Sequence, residues 1–386
     1  MNNCPYITTV EVFTGTRHFY TGYTTPPLKQ LKEIFAEMEA NGALDCVMEV
    51  SSHAIHQHRC GDTVFAGGAF LNISEDHLDY HKTMEEYFRV KRQFAEELPP
   101  GSPYVVAAEG EGCDKMLAEV CKMPLQVITA DSAGQLVLRE SLPPGVPAKR
   151  LSALRQLDLS GLRLVGSYNR SNVCVAAGLA LAAGYDFDTI QAIIPTLEPR
   201  WGRLEEVKTR SKARVFVDFA HTPDGLEKVL TAARGFCPGK LWCVFGAGGD
   251  RDPMKRPLMG EVVSRLADYP VVTSDNPRSE DPALIIRAVI AGIAPEEPTE
   301  VFEGRPEPLR RDRVTGGAGV KEGIPQKLAV GPKVRSFVDR KDAIHYALEH
   351  AQENDVVIIA GKGHETTQEI KGVKYPFSDK EVAESW

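Results

Sequence analysis

What this sequence lacks narrows its identity first. No apolar run reaches the roughly 18 residues that mark a membrane-crossing helix, so none is expected. The start, MNNCPYITTVEVF, has no basic stretch followed by an apolar one, and no secretory signal is read there. Basic excess is missing too: 45 Lys and Arg stand against 53 Asp and Glu, for a formal net charge of −8. That argues against a general nucleic-acid binder and leaves room for a local basic pocket. The eight cysteines include no C-x-x-C pair and suggest neither a disulfide framework nor a zinc site. Their scatter fits a reducing cytosol. The expectation is a cytoplasmic protein with no membrane or nucleic-acid partner.

What is present is an ordinary globular composition, 42% apolar and 25% charged over 386 residues. That is enough for two or three domains at ~100–200 residues each. The most informative stretch is 45–91. An apolar strand, Cys46-Val47-Met48, runs straight into Glu49. A second apolar run, 66–73, ends in Ser74-Glu75-Asp76-His77-Leu78-Asp79-Tyr80-His81, and a helix expected over 84–97 carries Lys91. Two buried strands would then deliver acids and histidines at their C-terminal ends, the edge where ligands bind an open parallel sheet. An acid, an imidazole and a lysine on one rim are parts of a metal and phosphate site. Taken alone, Lys91 is a solvated helix lysine. A cationic amine cannot ligate a metal; a lysine carbamylated by CO2 carries a carboxylate-like head and can.

Between the two strands, 51–59 reads as a polar loop. His53 and His56 could share a helix face and His58 could not, so hydrogen-bonding histidines are the plainer reading than a metal site. Ser51, Gln57 and Arg59 suit an anion or amide. Thr24 and Thr25, ahead of Pro26 and Pro27, either sit extended with free hydroxyls or simply open the helix expected over 28–38.

A βαβ rhythm continues over 104–130. Residues 131–168 read as a small antiparallel excursion, with short alternating runs such as Leu162-Arg163-Leu164-Val165. An alanine-rich helix follows over 171–183, with Asn169 as its N-cap and Asn172 one turn further in. Residues 198–203, EPRWGR, look like a linker. A second series then begins, with strands at 215–219, 241–245, 271–273 and 356–360. Helices lie between them near 223–234, 255–267, 282–292 and 341–352. Such alternation predicts a parallel, doubly wound sheet. Residues 303–336, rich in Gly, Pro, Lys and Arg, interrupt it and read as a mobile surface insertion.

Three polar clusters follow strands of this second series: 246–252 (GAGGDRD), 275–278 (DNPR) and 361–365 (GKGHE). A glycine-rich strand exit alone is a weak anion-binding signal. Three clusters at three strand ends of one sheet would converge on one rim. An arginine fork there suits a carboxylate, and Glu365 suits an ammonium.

The strings MEVSSHAIHQHR, NISEDHLDYHKTMEEYFRVK, VDFAHTPDGLEKVL, VFGAGGDRD, KRPLMG, DNPRSEDP and AGKGHETTQEI resemble, in order, the Mur ligases. The resemblance runs from about Thr24 to the end of the chain and is strongest to members that handle 2,6-diaminopimelate. It implies an α/β chain: a truncated P-loop-type central domain over 1–197, then a Rossmann-like C-terminal domain over 198–386. It implies an ATP-dependent ligase adding meso-diaminopimelate to UDP-N-acetylmuramoyl-L-alanyl-D-glutamate through an acyl phosphate. Mg2+ and cationic groups would stabilise the transferring phosphoryl group.

By the same resemblance Glu49 and His77 are magnesium ligands and Lys91 is carbamylated. Thr24, Thr25, Ser51, Gln57 and Arg59 hold the nucleotide-sugar peptide. Asn172, Arg203 and Asp218 surround ATP. Arg251, Asp275, Asn276, Pro277, Arg278, Gly361 and Glu365 form the amino-acid pocket. Arg278 is the feature the family associates with diaminopimelate rather than lysine, because a second carboxylate needs a partner.

Two family features have no match: a separate N-terminal domain holding the uridine, and a P-loop whose lysine and backbone cradle the β- and γ-phosphates. The strings GFCPGKL and GKGH both fail the pattern G-x-x-x-x-G-K-[ST]. The expectation is therefore a chain that keeps the amino-acid site and half of the metal site, with a separate N-terminal fragment as a partner for catalysis. The alternatives are a remnant that only binds the amino acid or a partner enzyme, and another Mur-type ligase such as a folylpolyglutamate or cyanophycin synthetase. DNPR with AGKGHE speaks against the latter. A zinc hydrolase built on 76–81 lacks a third ligand at a recognised spacing.

Overall fold

The computed structural model of the chain describes residues 4–139, 142, 146, 154–293 and 334–386. It divides into two compact units, Met1–Leu197 and Glu198–Trp386.

The first unit runs β1 (Tyr6–Ile7), β2 (Val12–Phe13), β3 (His18–Phe19), α1 (Leu28–Ala40), β4 (Val47–Met48), α2 (Ser52–His56), β5 (Gly68–Phe70), α3 (Leu78–His81), α4 (Met84–Glu96), β6 (Pro103–Ala107), α5 (Cys113–Val120), β7 (Gln126–Ala130), β8 (Leu136–Arg139), α6 (Ser167–Ala182) and α7 (Phe187–Ile193). Its strands form two four-stranded sheets, ordered β3-β2-β1-β4 and β5-β6-β7-β8. The first packs on α1 through Ile7, Val12, Leu31, Ile34 and Met38. The second is covered by α4, α5, α6 and α7. Helix α4 starts at Thr83, whose hydroxyl accepts from the Glu86 N–H at 3.2 Å, with Glu85 and Glu86 in the first turn. Both features suit a helix N-terminus. Tyr87, Phe88, Val90 and Phe94 face the core.

The expectation of two buried strands feeding one rim is corrected here. The strand expected over 46–50 is only Val47–Met48, and it pairs in parallel with β1, not with β5. Val47 is 62% exposed. An apolar run reports a tendency to be covered, but burial needs a neighbour on each side, and β4 is an edge strand with one. The second strand is likewise shorter, Gly68–Phe70. Residues 51–59 are not all loop, since 52–56 form α2. The antiparallel excursion is real at β8, which pairs with β7. Leu162–Val165 is irregular instead. The helix expected from 171 begins at Ser167, capped by Gly166 at φ 96°. Asn169 is therefore inside the first turn, where its amide Nδ2 donates to the Val165 carbonyl at 2.7 Å.

The second unit runs β9 (Glu205–Val207), β10 (Arg214–Asp218), α8 (Pro223–Arg234), β11 (Leu241–Phe245), α9 (Lys255–Leu266), β12 (Tyr269–Thr273), α10 (Pro282–Ile293), β13 (Arg335–Phe337), α11 (Arg340–His350), β14 (Val356–Ala360), β15 (Thr367–Ile370), β16 (Val373–Pro376) and α12 (Asp379–Glu384). A six-stranded sheet has the order β13-β12-β11-β14-β10-β9, parallel except for β9. Its alternate residues separate cleanly. Phe216, Cys243, Phe245, Val272 and Ile358 meet α8, α9 and α10 on one face. Val215, Val217, Trp242, Val244 and Ile359 meet α11 and α12 on the other. This period of two, covered on both faces, is why these strands read as continuous apolar runs.

The insertion expected over 303–336 lies outside the described residues as far as 333. Its last two residues, Arg335 and Ser336, belong to β13 and are not loop. A strand of three residues with only Phe337 large and apolar gives too short a periodic signal to be read in sequence.

Candidate functional site

In the first unit a polar web surrounds the ends of β1 and β4. Glu49 leaves β4 exposed, and its Oε2 accepts from the Thr9 N–H at 3.1 Å and from the Thr9 hydroxyl at 2.5 Å. Thr9 Oγ1 also lies 3.0 Å from Thr24 Oγ1. Thr25 is fully buried; its hydroxyl donates to the Glu49 carbonyl and accepts from the Ser51 N–H, both at 2.9 Å. The Thr25 hydroxyl is thus consumed by the backbone, contrary to the free hydroxyl considered for it, because a buried O–H needs partners. Ser51 caps α2, accepting from the Ala54 N–H. Arg59 donates to the Thr25 carbonyl at 3.0 Å and grips Gln57 Oε1 with two nitrogens at 2.9 and 2.7 Å. Gln57 in turn donates to the Tyr80 hydroxyl at 3.1 Å, which also meets His56 Nδ1 at 2.7 Å. Thr24, Thr25, Ser51, Gln57 and Arg59 are therefore linked in one network through Thr9, Glu49 and Tyr80.

His77 adopts a left-handed backbone, φ 57°, as it enters α3. Its Nε2 is 3.7 Å from Asp76 Oδ2, and its ring meets that of His53 at 4.9 Å between centroids. Burial, with His77 and His81 adding to it, pushes the His53 imidazole down to about 4, so it stays neutral near pH 7. Lys91 sits on α4 with its ammonium 5.1 Å from the Tyr87 ring. Burial pulls its pKa below the usual lysine value, opposed by Asp76. Desolvation disfavours the charged amine. Among the described residues, no three or more His, Cys, Asp or Glu side chains come together as an ion site. Asn172 is exposed on α6.

In the second unit β11, β12 and β14 are adjacent and parallel, and their three exit loops meet. The Gly249 N–H donates to the Asn276 carbonyl at 2.9 Å, and Arg278 Nη1 donates to the Gly249 carbonyl at 2.6 Å. A Cβ placed on Gly248 would stand 3.0 Å from Arg278 Nη1 and 3.8 Å from Arg251 Cγ, so both arginines flank this glycine. A Cβ on Gly249 would reach 2.0 Å from the Pro277 carbonyl oxygen, a contact that admits only glycine. Arg278 is itself left-handed, φ 52°, and exchanges backbone hydrogen bonds with Glu369 and Lys371 beside the β15–β16 hairpin.

From β14, Glu365 brings its carboxylate to Asn276 Nδ2 at 2.9 Å and Lys362 Nζ at 2.8 Å. Lys362 has no exposed side-chain surface and also donates to Asn276 Oδ1 at 3.2 Å. Burial would raise the Glu365 carboxyl; Lys362 and the hydrogen bonds from Lys362 and Asn276 outweigh it and hold the group below its usual range. Gly361, φ 120°, donates to the Asp218 carbonyl at 3.1 Å. Asp218 receives the N–H of Leu204 at 2.7 Å and of Ala220 at 2.8 Å, yet burial raises its pKa overall. The Arg203 guanidinium lies 4.9 Å from the Phe219 ring. Beneath this rim, Arg340 and Asp379 form a fully buried pair at 2.7 Å, and Arg340 also donates to the Ala360 carbonyl at 2.9 Å.

Sequence reasoning missed Thr9, Tyr80, Lys362 and Arg340. Lys362 had a signal in its i,i+3 spacing to Glu365. Thr9 had none, since it reaches Glu49 across forty positions of sequence.

Residues 4–180 match the Mur ligase middle domain, and 202–363 match the Mur ligase, glutamate ligase domain. A curated relative from Chelativorans sp. (strain BNC1), named UDP-N-acetylmuramoyl-L-alanyl-D-glutamate--2,6-diaminopimelate ligase, is 36% identical over 97% of this chain and 71% of its own length. A solved structure of a ligase with that name is 27% identical, with TM-score 0.53 over 98% of this chain and 71% of its own. The fold is shared more widely. The Mycobacterium tuberculosis folylpolyglutamate synthase complexed with ADP reaches TM-score 0.56 at 18% identity, over 86% of this chain and 69% of its own.

Proposed function

The chain belongs to the Mur ligase family, and on that premise we propose that it joins meso-2,6-diaminopimelate to UDP-N-acetylmuramoyl-L-alanyl-D-glutamate, with ATP as co-substrate, in the cytoplasmic synthesis of peptidoglycan precursors. Residues 1–197 serve as the central ATPase-type domain and 198–386 as the C-terminal amino-acid domain. One observation carries this reading: the polarity of the second unit's rim. Arg278 and Arg251 flank Gly248, while the exit of β14 brings the partly exposed Glu365 carboxylate, paired with the buried Lys362. A substrate bearing both carboxylate and ammonium complements that arrangement.

The chemistry is amide formation through an acyl phosphate. ATP phosphorylates the terminal carboxylate of the nucleotide-sugar dipeptide, the free amine of diaminopimelate attacks the acyl carbon, and inorganic phosphate leaves. Thr24, Thr25, Ser51, Gln57 and Arg59 hold the nucleotide-sugar peptide, and their common network supports a shared task. Asn172, Arg203 and Asp218 hold the nucleotide. Arg251, the Asp275–Arg278 run, Gly361 and Glu365 hold the amino acid; Glu365 takes its ammonium and Arg278 its second carboxylate.

Glu49, a hard oxygen donor, would hold Mg2+ with His77, and Lys91 would join them as a carbamate. The lowered Lys91 pKa supports this, because CO2 adds to the neutral amine and desolvation makes that form easier to reach. When bound, the ion neutralises charge on the transferring phosphoryl group. No G-x-x-x-x-G-K-[ST] string occurs in the 386 residues, so a β- and γ-phosphate cradle of that kind would come from residues outside them. Without such residues the second reading is a remnant that binds diaminopimelate without turning over ATP.

One experiment separates the readings. The chain is assayed for ATP-dependent ligation of labelled meso-diaminopimelate, alone and with an added N-terminal fragment of a relative, and diaminopimelate binding is followed by calorimetry. Binding with turnover only when the fragment is added is the expected result. Turnover by the chain alone removes the need for the fragment. Binding that no fragment converts to turnover supports the remnant, and no binding overturns the proposal.

A further inference from the structure

Lys362 has no exposed side-chain surface and faces three acceptors of the second unit's rim. Its Nζ is 2.8 Å from Glu365 Oε2, 3.2 Å from Asn276 Oδ1 and 3.7 Å from Asp275 Oδ1. It cannot itself meet a substrate. Its neighbours can: the Glu365 side chain is 34% exposed.

The hydrogen bonds leave little freedom. Asn276 Oδ1 accepts from Lys362 and from the Glu369 N–H at 3.0 Å. Two donors on that atom fix which way round the amide sits, so Nδ2 must face Glu365. Glu365 Oε2 then receives both Asn276 Nδ2 and Lys362 Nζ. Among the described residues no hydrogen bond goes to Glu365 Oε1. The carboxylate is thereby held by one oxygen and presents the other. Asp275 Oδ1, buried beside Lys362, has no hydrogen-bond partner and faces the Lys362 ammonium at 3.7 Å.

We propose that Lys362 is the positioning residue of the amino-acid pocket: from beneath, it locks the Asn276 amide and the Glu365 carboxylate so that Glu365 Oε1 is presented to the ammonium of the incoming amino acid. The role of Glu365 rests on the function proposed above; the lock itself rests on the distances. Lys362 acts through Glu365 and never on substrate, which separates it from Arg278.

The test uses the 386-residue chain and the variants Lys362→Met, Glu365→Gln and the double substitution. First, carboxyl titrations are followed by 13C NMR on glutamate-labelled protein without ligand, the Glu365 signal being assigned by its loss in Glu365→Gln. Glu365 is expected to titrate about one pH unit or more higher in Lys362→Met, since a neighbouring cation favours the carboxylate. Second, diaminopimelate binding is measured by calorimetry against pH. Lys362→Met should weaken it by about ten- to a hundredfold, the scale of a lost charged hydrogen bond. Binding requires the carboxylate, so it is lost as pH falls through the Glu365 pKa; in Lys362→Met that loss begins at higher pH. In the Glu365→Gln background, Lys362→Met should cost less than about twofold, as coupled residues do in such a cycle.

An unmoved Glu365 titration in folded Lys362→Met overturns the proposal, and so does equal weakening in both backgrounds. If Lys362→Met does not fold, Lys362→Gln keeps a donor without the charge and is held to the same shift. If the unaltered chain does not bind diaminopimelate, the proposed function falls and the NMR titration alone decides the lock.

Discussion

The two units solve the same problem in different ways. In the second, three adjacent parallel strands are buried on both faces and end together, and their exit loops are pinned by buried ions: Arg340 on Asp379, Lys362 on Glu365, Arg256 on Glu280. In the first, the strands that lead to Thr9 and Glu49 are two residues long and belong to a different sheet from β5. There the candidate residues are held by hydroxyls, a tyrosine and an amide. The comparison teaches that in a rim of parallel strands the sheet supplies the register and buried ions then fix the exit loops. A rim assembled from separate sheets has to be tied together by its own polar groups.

The sharpest way to break this contrast is to remove the deepest ion. Arg340→Met leaves Asp379 buried and unpaired and should destabilise the second unit by about 3–5 kcal/mol, measured by urea unfolding. Arg340→Met with Asp379→Leu should recover most of that, since removing both charges leaves neither stranded. If the single variant costs no more than a surface pair, the buried ions do not hold the rim.

A second test concerns the first unit's chemistry. Lys91→Gln should abolish ligation under the conditions that support it in the parent chain, and a 13CO2-derived carbamate signal present in the parent should vanish. A carbamate signal that survives the substitution would place the modification elsewhere.

Backbone approach is another difference. A Cβ on Gly292 in α10 would lie 1.8 Å from the Pro257 carbonyl oxygen in α9. Gly292→Ala should therefore part the two helices at a cost of about 1–3 kcal/mol, read as a lower midpoint in thermal unfolding.

The smallest effect is expected at the first rim. Thr9→Val removes one of the donors to Glu49 and should lower stability by about 1 kcal/mol or less. Its greater effect should be on Mg2+ dependence of ligation, with more ion required for half-maximal rate. A large loss of stability instead would mean that this rim is as firmly built as the other.

Much of the second unit was legible in the sequence. Residues 241–245 and 356–360 are apolar runs with glycine after them, and helix-length segments alternate with the strands. The clusters 246–252, 275–278 and 361–365 were placed on one rim by topology alone, and the adjacency of β11, β12 and β14 bears that out. The first unit was read less well because its strands are too short for any period, and because pairing partners are not written in apolar content. Cys46-Val47-Met48 looked buried since it is apolar; it is an edge because only β1 lies beside it.

The sequence by itself determined the family, the alternation of strands and helices, and which residue types stand at the strand exits. Those depend on local periodicity and on motif order, both of which survive without coordinates. Only the tertiary structure decided who holds whom: Thr9 on Glu49, Tyr80 between His56 and Gln57, Lys362 under Asn276 and Glu365, Arg340 on Asp379. Burial of a charge and the orientation of an amide are fixed by what packs against them from distant parts of the chain, and no local pattern encodes that.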